Sequence, residues 1–271
     1  MLIDEVPQSH VPSLDVRSWR RLIECRRHEI DKRTRVKNGL RSLLRSYGIV
    51  TPSKPGLWTQ KGRVWLREVQ WPTSLAALER DLLMDQLEHA DRIVARITYE
   101  LDKLARQHPA VALLRSIPGV GPRTAEVIVA YIDDHKRFAR INRVGAYFGV
   151  IPSQDASAGV NRLGHITKEG PATARKLIVE AAWQVIRHDD SMRAYFDRIV
   201  AGKKERRKIA LVAVAHKLLR CMLAMLRSGE VWQPGLSTAA IADEVDGVAD
   251  DRGSGDPAVT TPISGDPNAR R

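Results

Sequence analysis

The chain has 271 residues, 43% of them hydrophobic, which is enough for one large or two smaller globular units and excludes a chain that is disordered throughout. No apolar run approaches the roughly 20 residues of a membrane span, and no signal-peptide pattern is present, so neither a membrane nor a secreted protein is expected. Cys25 and Cys221 lack metal-ligand spacing and lie in helical patterns, which predicts two buried thiols in a reducing cytoplasm.

The formal net charge is +12, and it is unevenly distributed along the chain. Residues 17–45 carry eleven Lys or Arg against three acids, whereas residues 235–271 carry seven Asp or Glu against three Arg. Removing the −4 of this tail from the total of +12 leaves +16 on residues 1–234. Such a charge predicts a polyanionic partner, with nucleic acid ahead of the alternative of a merely well-solvated basic surface.

The first part of the chain predicts a long helical arm. Residues 1–14 contain two prolines and form an extended lead-in, and a helix is expected from Asp15, as its cap, to Tyr47. Residues 48–73 form a connector rich in Pro and Gly, with a short helix around Val64. A second long helix follows over residues 74–108. Its alternating three- and four-residue apolar steps predict a coiled-coil seam and self-association through the arm, which spans residues 15–108. The seam comprises Leu75, Leu78, Leu82, Ala90, Val94, Ile97, Leu101 and Leu104.

Residues 109–231 predict a compact, mostly helical domain, with later helices over 171–188, 191–201 and 205–228. Beyond it, residues 232–271 are rich in Gly, Pro, Asp, Ser and Thr, which predicts a disordered tail. The fold class is therefore mostly α: a long antiparallel coiled-coil hairpin, a compact helical domain and a disordered C-terminal tail.

A Pro-Gly-x-Gly turn within residues 116–125 is the first candidate nucleic-acid contact. Glycines let the backbone approach a phosphate closely, and free N–H groups at the start of the next helix face the anion. This helix-hairpin-helix pattern holds DNA without reading its sequence. The alternative is an ordinary helix–helix turn. The candidate contacts are Gly119, Val120, Gly121 and Arg123.

Residues 147–170 predict an irregular loop between helices, because small and polar residues dominate it. Ser157 lies there between two alanines and is sterically open. Arg162, His165 and Lys168 could hold a phosphate or stabilise an oxyanion beside it. The residues alone give only a serine in a basic loop, and a loop serine is more often a simple turn residue.

Four blocks of sequence, taken together in this order, closely resemble the C-terminal domain of the insertion-sequence one-ten family of transposases. The segment from Val11 to Ile49 is similar to the part of that family that follows its nuclease domain, so the resemblance covers residues 2–230. The blocks are IPGVGPRTA, RFARINRVGAYFGVIPS, DASAGVNRLGHITKEGP and ARKLIVEAAW.

The resemblance implies a specific chemistry. Full-length members pair a RuvC-like nuclease domain, which carries an Asp-Glu-Asp-Asp metal site, with a coiled-coil arm and a serine-bearing domain. The serine attacks DNA to form a phosphoserine link, and a bridge RNA guides the choice of DNA sites. The motif places the nucleophile at Ser157, with Ser153 and then Thr167 as weaker alternatives. Gly119, Gly121, Arg162 and Lys168, with Val120, Arg123 and His165, would contact nucleic acid.

The metal-binding tetrad of the family has no counterpart in the motifs of this sequence. Asp4 and Glu5 would follow its last member, and the adjacent pairs Asp133-Asp134 and Asp189-Asp190 point to different faces of a helix or cap its end. We therefore expect a truncated transposase that binds DNA but lacks autonomous activity, with Mg²⁺ bound only by the missing nuclease domain. The alternative is a non-catalytic DNA-binding regulator that competes with an intact transposase. A repair protein is disfavoured because no glycosylase Lys–Asp pair can be placed.

Overall fold

The computed structural model describes residues 10–54, 56–157 and 160–234, and for residues 154–163 nothing beyond the backbone. Most of the predicted lead-in and nearly all of the predicted tail lie outside the described residues. The fold is mostly α, as predicted. Its helices are α1 (Leu14–Ser46), α2 (Gln60–Glu68), α3 (Ser74–Gln107), α4 (Pro109–Leu114), α5 (Pro122–Ile132), α6 (Arg143–Tyr147), α7 (Ala172–His188), α8 (Asp190–Val200) and α9 (Arg207–Ser228).

Helices α1 and α3 form an antiparallel pair. Arg26 donates to Thr98 and Arg33 pairs with Asp91, so residue numbers increase along α1 in the direction in which they decrease along α3. The cap of α1 is Ser13, whose Oγ accepts a hydrogen bond from the backbone N–H of Val16. The predicted cap, Asp15, lies in the first turn instead.

The buried face of α3 differs from the predicted seam in its first half. Leu75, Leu78 and Leu82 are 76%, 54% and 54% exposed, and Leu104 is exposed as well, so these four leucines do not pack between α3 and α1 within the chain. The step skipped at Gln86 concealed the register. Three- and four-residue steps taken backwards from Ala90 reach a different set, and these residues are buried: Ala76, Arg80, Met84 and Leu87.

The far end of the arm has its own small core, in which α2 packs on the pair. Leu66 of α2 lies with Leu40 and Leu44 of α1 in a buried cluster. Arg80 of α3 enters this region and donates to the carbonyl oxygens of Leu66 and Arg67, which helps to satisfy the C-terminal end of α2.

Helices α4 to α9 enclose the main core, and α9 lies within it. The segment Lys204–Ser228 is long and apolar enough to cross a membrane by length and composition, which the sequence analysis missed because Lys217 and Arg220 interrupt the apolar run. In this structure 56% of the most apolar 18-residue stretch of this segment is buried inside the protein, as in a core helix. Cys221 of α9 is buried, but Cys25 is exposed, so one of the two predicted buried thiols is wrong.

Residues 152–166 form a two-stranded antiparallel sheet, so the prediction of an irregular loop is wrong. Strand β1 (Pro152–Ser157) pairs with β2 (Val160–Ile166), and the pairing is irregular between Pro152 and Gln154. A two-residue spacer that ends in Gly is a hairpin signal. The two strands were not predicted because they contain few β-branched or aromatic residues.

Candidate nucleic-acid interface

Ser157 lies at the free end of the β-hairpin. Its backbone pairs with Val160, the last pair before the two spacer residues, which lie outside the described part of the chain. The other end of the hairpin joins the helical core through Pro152 and Ile166. The fold therefore places Ser157 at the end of the hairpin opposite the strand ends that connect to the helices.

Close backbone packing fixes the base of the hairpin. Gly149 and Gly170 have φ of +65° and +70°, a region that favours glycine, and a Cβ on either would collide with backbone. The atoms in the way belong to Glu169 for the first glycine and to Tyr147 for the second. Arg175 of α7 donates to the carbonyl of Glu169, which holds the same connection from the helix side.

The predicted phosphate-binding residues lie at different heights along the hairpin. The backbone of Arg162 pairs with Asp155, two residues after the start of β2, whereas His165 is exposed near the base. Five residues of strand, roughly 17 Å, separate His165 from Val160. Lys168 is exposed beyond the strand, at φ +58°. The structure therefore does not bring His165 or Lys168 next to Ser157 within one chain.

The two alternative nucleophiles differ in access. Ser153 is exposed near the base of the hairpin, and its Oγ lies close against Gly164 of the facing strand. The hydroxyl of Thr167 is buried without a hydrogen-bond partner among the described residues. A buried hydroxyl cannot reach a DNA phosphate, which leaves Ser153 as the accessible alternative to Ser157.

The glycine turn between α4 and α5 packs against α7. Gly119 has φ +87°, and a Cβ there would meet Gln184 and the backbone of Val185 at 2.8–2.9 Å, so this position requires glycine for structural reasons. Val120 is buried in the core, and its N–H donates within the turn to Ile117. These two residues thus shape the turn.

Gly121 is the residue of this turn that remains open for a ligand. Nothing lies within 4 Å of where its Cβ would be, and it precedes α5, whose first turn has no side-chain cap. The first N–H groups of a helix lack intrahelical partners, so this end of α5 can face an anion. Of the predicted contacts in the turn, Gly121 has the geometry that fits best.

Arg123 is engaged inside the protein. Its guanidinium pairs with Asp102 of α3 and, at 2.6 Å, with Glu126 of its own helix, and its side chain is only 19% exposed. Trp19 of α1 donates to the same Glu126 at 3.0 Å. Burial raises the pKa of Glu126, although Trp19 and Arg123 oppose the shift. Arg123 therefore has a structural role that joins the arm to the helical core.

A second carboxylate at this junction was missed by the sequence analysis. Glu24 of α1 accepts hydrogen bonds from Tyr131 of α5, Thr173 of α7 and Arg27. Burial raises the pKa of Glu24, but these hydrogen bonds outweigh it and the net shift is downward. No local sequence signal marks Glu24, because Tyr131 of α5 and Thr173 of α7 lie more than 100 residues away along the chain.

Comparison with known proteins places these features in a family. Residues 111–197 match the model of the transposase IS116/IS110/IS902 family. That segment contains the glycine turn, the whole β-hairpin and all of α7. Over these residues the chain is similar to this transposase family.

Curated relatives extend the similarity into the arm of the chain. A protein of Pseudomonas aeruginosa described as "Probable family 20 transposase" is 27% identical over 236 residues, which cover 83% of the chain and 68% of that protein. The transposase for insertion sequence element IS1111A of Coxiella burnetii is 25% identical over 219 residues, covering 79% and 60%. The transposase for IS1328 of Yersinia enterocolitica is 25% identical over 211 residues, covering 75% and 61%. These matches cover 60–68% of the length of the three relatives.

The acidic pairs considered as metal ligands cap or end helices in the structure. Asp134 accepts a hydrogen bond from the N–H of Lys136, and Asp189 caps α8 by accepting from Met192. Asp133 ends α5 and contacts His10. Among the described residues, no group of three or more His, Cys, Asp or Glu could hold a metal ion.

Proposed function

We propose that this chain binds DNA during transposition of an insertion sequence and that Ser157 is the nucleophile that attacks a DNA phosphate. The observation that carries the proposal is the position of Ser157 at the free end of a hairpin whose base is fixed by Gly149, Gly170 and Arg175. A nucleophile on a short, anchored projection can enter a groove of DNA while the basic body holds the backbone.

In the proposed step, the Ser157 oxygen bonds to phosphorus while the bond from phosphorus to one deoxyribose oxygen breaks. The products are a phosphoserine link and a strand end with a free hydroxyl, which takes up the proton. Arg162 is the basic residue closest along the strand, and His165 and Lys168 would contact phosphates further along the DNA. The described residues offer no ligand set for the Mg²⁺ that the family resemblance implies, so the proposed step involves only the residues of this chain and the DNA.

The partners follow from the same proposal. We infer that DNA is held on the basic body, that a guide RNA is a second nucleic-acid partner, and that copies of the chain associate through the arm in the cytoplasm. The support is the +16 charge of residues 1–234, the family relationship and the exposed leucines of α3.

The experiment uses the insertion sequence in bacteria, with the gene in its own context so that every other component of the reaction is present. Covalent protein–DNA adducts are trapped with denaturant and counted alongside excision. We expect Ser157→Ala to abolish both, and Ser153→Ala, the matched control on the same hairpin, to retain them. Adducts at the wild-type level in Ser157→Ala would refute the assignment.

A second candidate function is a non-catalytic regulator that competes for DNA with an intact transposase. One observation favours it, which is the separation of His165 and Lys168 from Ser157 within the chain. If the chain is a regulator, the wild-type chain and the Ser157→Ala variant should suppress excision by an intact copy of the element to the same extent. Suppression that disappears with the serine would exclude this reading.

A further inference from the structure

An open groove lies where α7 meets the start of α9, beside the glycine turn. Its volume is about 560 Å³, and it is lined by Glu180, Trp183, Gln184, Arg187 and Arg207. That volume is within the usual range of small-ligand clefts. Nine residues of α7, roughly 14 Å, separate Gln184 from Arg175 at the base of the hairpin, so the groove is distinct from the serine.

An exposed tryptophan forms the floor of this groove. The ring of Trp183 packs on buried Phe196, with 6.0 Å between ring centroids, and the side chain still remains 36% exposed. The guanidinium of Arg207 lies 5.9 Å from the Trp183 ring centroid. The ring is thus held by Phe196 while part of it faces solvent beside Arg207, and an exposed aromatic ring can stack on a nucleic-acid base.

The charge of the groove is positive. Glu180 is paired with Lys176, and in the described part of the chain Arg187 and Arg207 take part in no ion pair. Exposed basic residues continue along the chain on both sides of Arg207, as Lys203, Lys204, Arg206 and Lys208. The glycine turn lies next to this groove, because Gly119 packs directly on Gln184. Two residues later, Gly121 begins the N-terminal end of α5, which has no side-chain cap.

We propose that this groove binds an unpaired nucleotide, whose base stacks on Trp183 while its phosphates pair with Arg187 and Arg207. A base inside a duplex is stacked between its neighbours and cannot present its face to the ring, so the ligand is single-stranded or locally opened nucleic acid. This inference rests on the proposal that the chain binds nucleic acid. It adds that part of the bound strand is held in single-stranded form, about 14 Å or more from the hairpin.

The test measures binding of the full chain to a fluorescent 12-nucleotide oligothymidylate and to a 20-base-pair duplex by anisotropy. We expect Trp183→Ala to weaken oligothymidylate binding about 5-fold to 150-fold, which corresponds to the loss of one stacked base, and to leave duplex binding within about twofold. Trp183→Phe, which keeps an aromatic face, should retain most of the affinity. Arg96→Ala on the arm is the control for the loss of one exposed positive charge.

Two further measurements keep the outcomes separate. If Trp183→Ala unfolds the chain by circular dichroism, the double variant Arg187→Ala/Arg207→Ala decides, and it should weaken oligothymidylate binding more than Arg96→Ala does. A parallel oligouridylate titration shows whether DNA or RNA is preferred, and a preference for either supports the groove. The inference is overturned if Trp183→Ala binds oligothymidylate like wild type, or if it changes self-association instead. Failure of wild type to bind the duplex would refute the proposed function, whatever Trp183 does.

Discussion

Two carboxylates at the junction of the arm and the helical core are shifted in opposite directions. Glu24 accepts three hydrogen bonds, which lower its pKa, whereas Glu126 is completely buried and burial raises its pKa. Both connect α1 to α5, Glu24 through Tyr131 and Glu126 through Trp19. The position of the arm therefore depends on charged groups whose protonation can be followed.

The raised pKa of Glu126 predicts a pH dependence of stability. Its folded pKa exceeds its unfolded value, so the stabilisation is complete below the unfolded pKa, ordinarily about 4.3, and is lost as pH rises through the folded pKa. Gln cannot ionise. We therefore expect the Tm of wild type minus that of Glu126→Gln to fall as pH rises from about 4 to about 8.

The control for this measurement is Asp31→Asn, which changes an exposed carboxylate of α1. It gives the baseline against which the pH dependence of the Glu126→Gln difference is compared. A Glu126→Gln difference that stays constant or increases with pH would show that pairing with Arg123, rather than burial, controls this group.

At the scale of elements, the base of the hairpin is the connection that positions Ser157. Gly170 and Gly229 both have positive φ, +70° and +76°, but only a Cβ at position 170 would collide with backbone. We expect Gly229→Ala to cost about 1–2 kcal/mol from its conformation alone. Gly170→Ala should cost clearly more in urea unfolding, because Tyr147 must also move.

The comparison of these two glycines isolates packing from backbone strain. Equal losses of unfolding free energy would mean that the hairpin base yields easily and does not hold the serine in place. A larger loss at position 170, accompanied by reduced excision in cells, would connect the anchoring of the hairpin to transposition.

The two faces of α3 predict two kinds of behaviour. Leu87 is buried against α1 and α2, whereas Leu78, a residue of the predicted seam, is 54% exposed. We expect Leu87→Ala to lower the unfolding free energy by about 2–5 kcal/mol. Leu78→Ala should lower it by less than about 0.5 kcal/mol and should weaken self-association in sedimentation experiments. A monomeric wild type, or equal destabilisation by both variants, would contradict this assignment.

Long periodic elements could be predicted from the sequence, and close approaches between distant segments could not. The bounds of α3 and α7 follow from apolar spacing and from Pro109 and Pro171, but the register of the α3 seam depended on packing against α1. Ser157 was found by resemblance to a family motif. Its placement on a hairpin had only a weak local signal in the Gly of the spacer, and the pairing of Arg123 with Asp102 requires a contact that no local pattern contains.

At the scale of the whole molecule, positive charge is spread over both the arm and the helical core. Arg17, Arg21 and Arg35 are exposed on α1, and Arg187 and Arg207 are exposed at the groove. Other cations are used internally, as when Arg63 pairs with Asp91 at 2.6 Å. The exposed cations form an extended surface, which suits a long polyanion better than a small acidic ligand.

The most direct test of the central claim, that this basic body binds nucleic acid, is the affinity of the chain for duplex DNA as salt is varied. Each phosphate neutralised adds about −0.9 to the slope of log affinity against log salt. We expect at least four such contacts, so that affinity falls by more than 100-fold between about 50 and about 200 mM salt. Affinity that is absent at low salt, or unchanged across this range, would contradict the account.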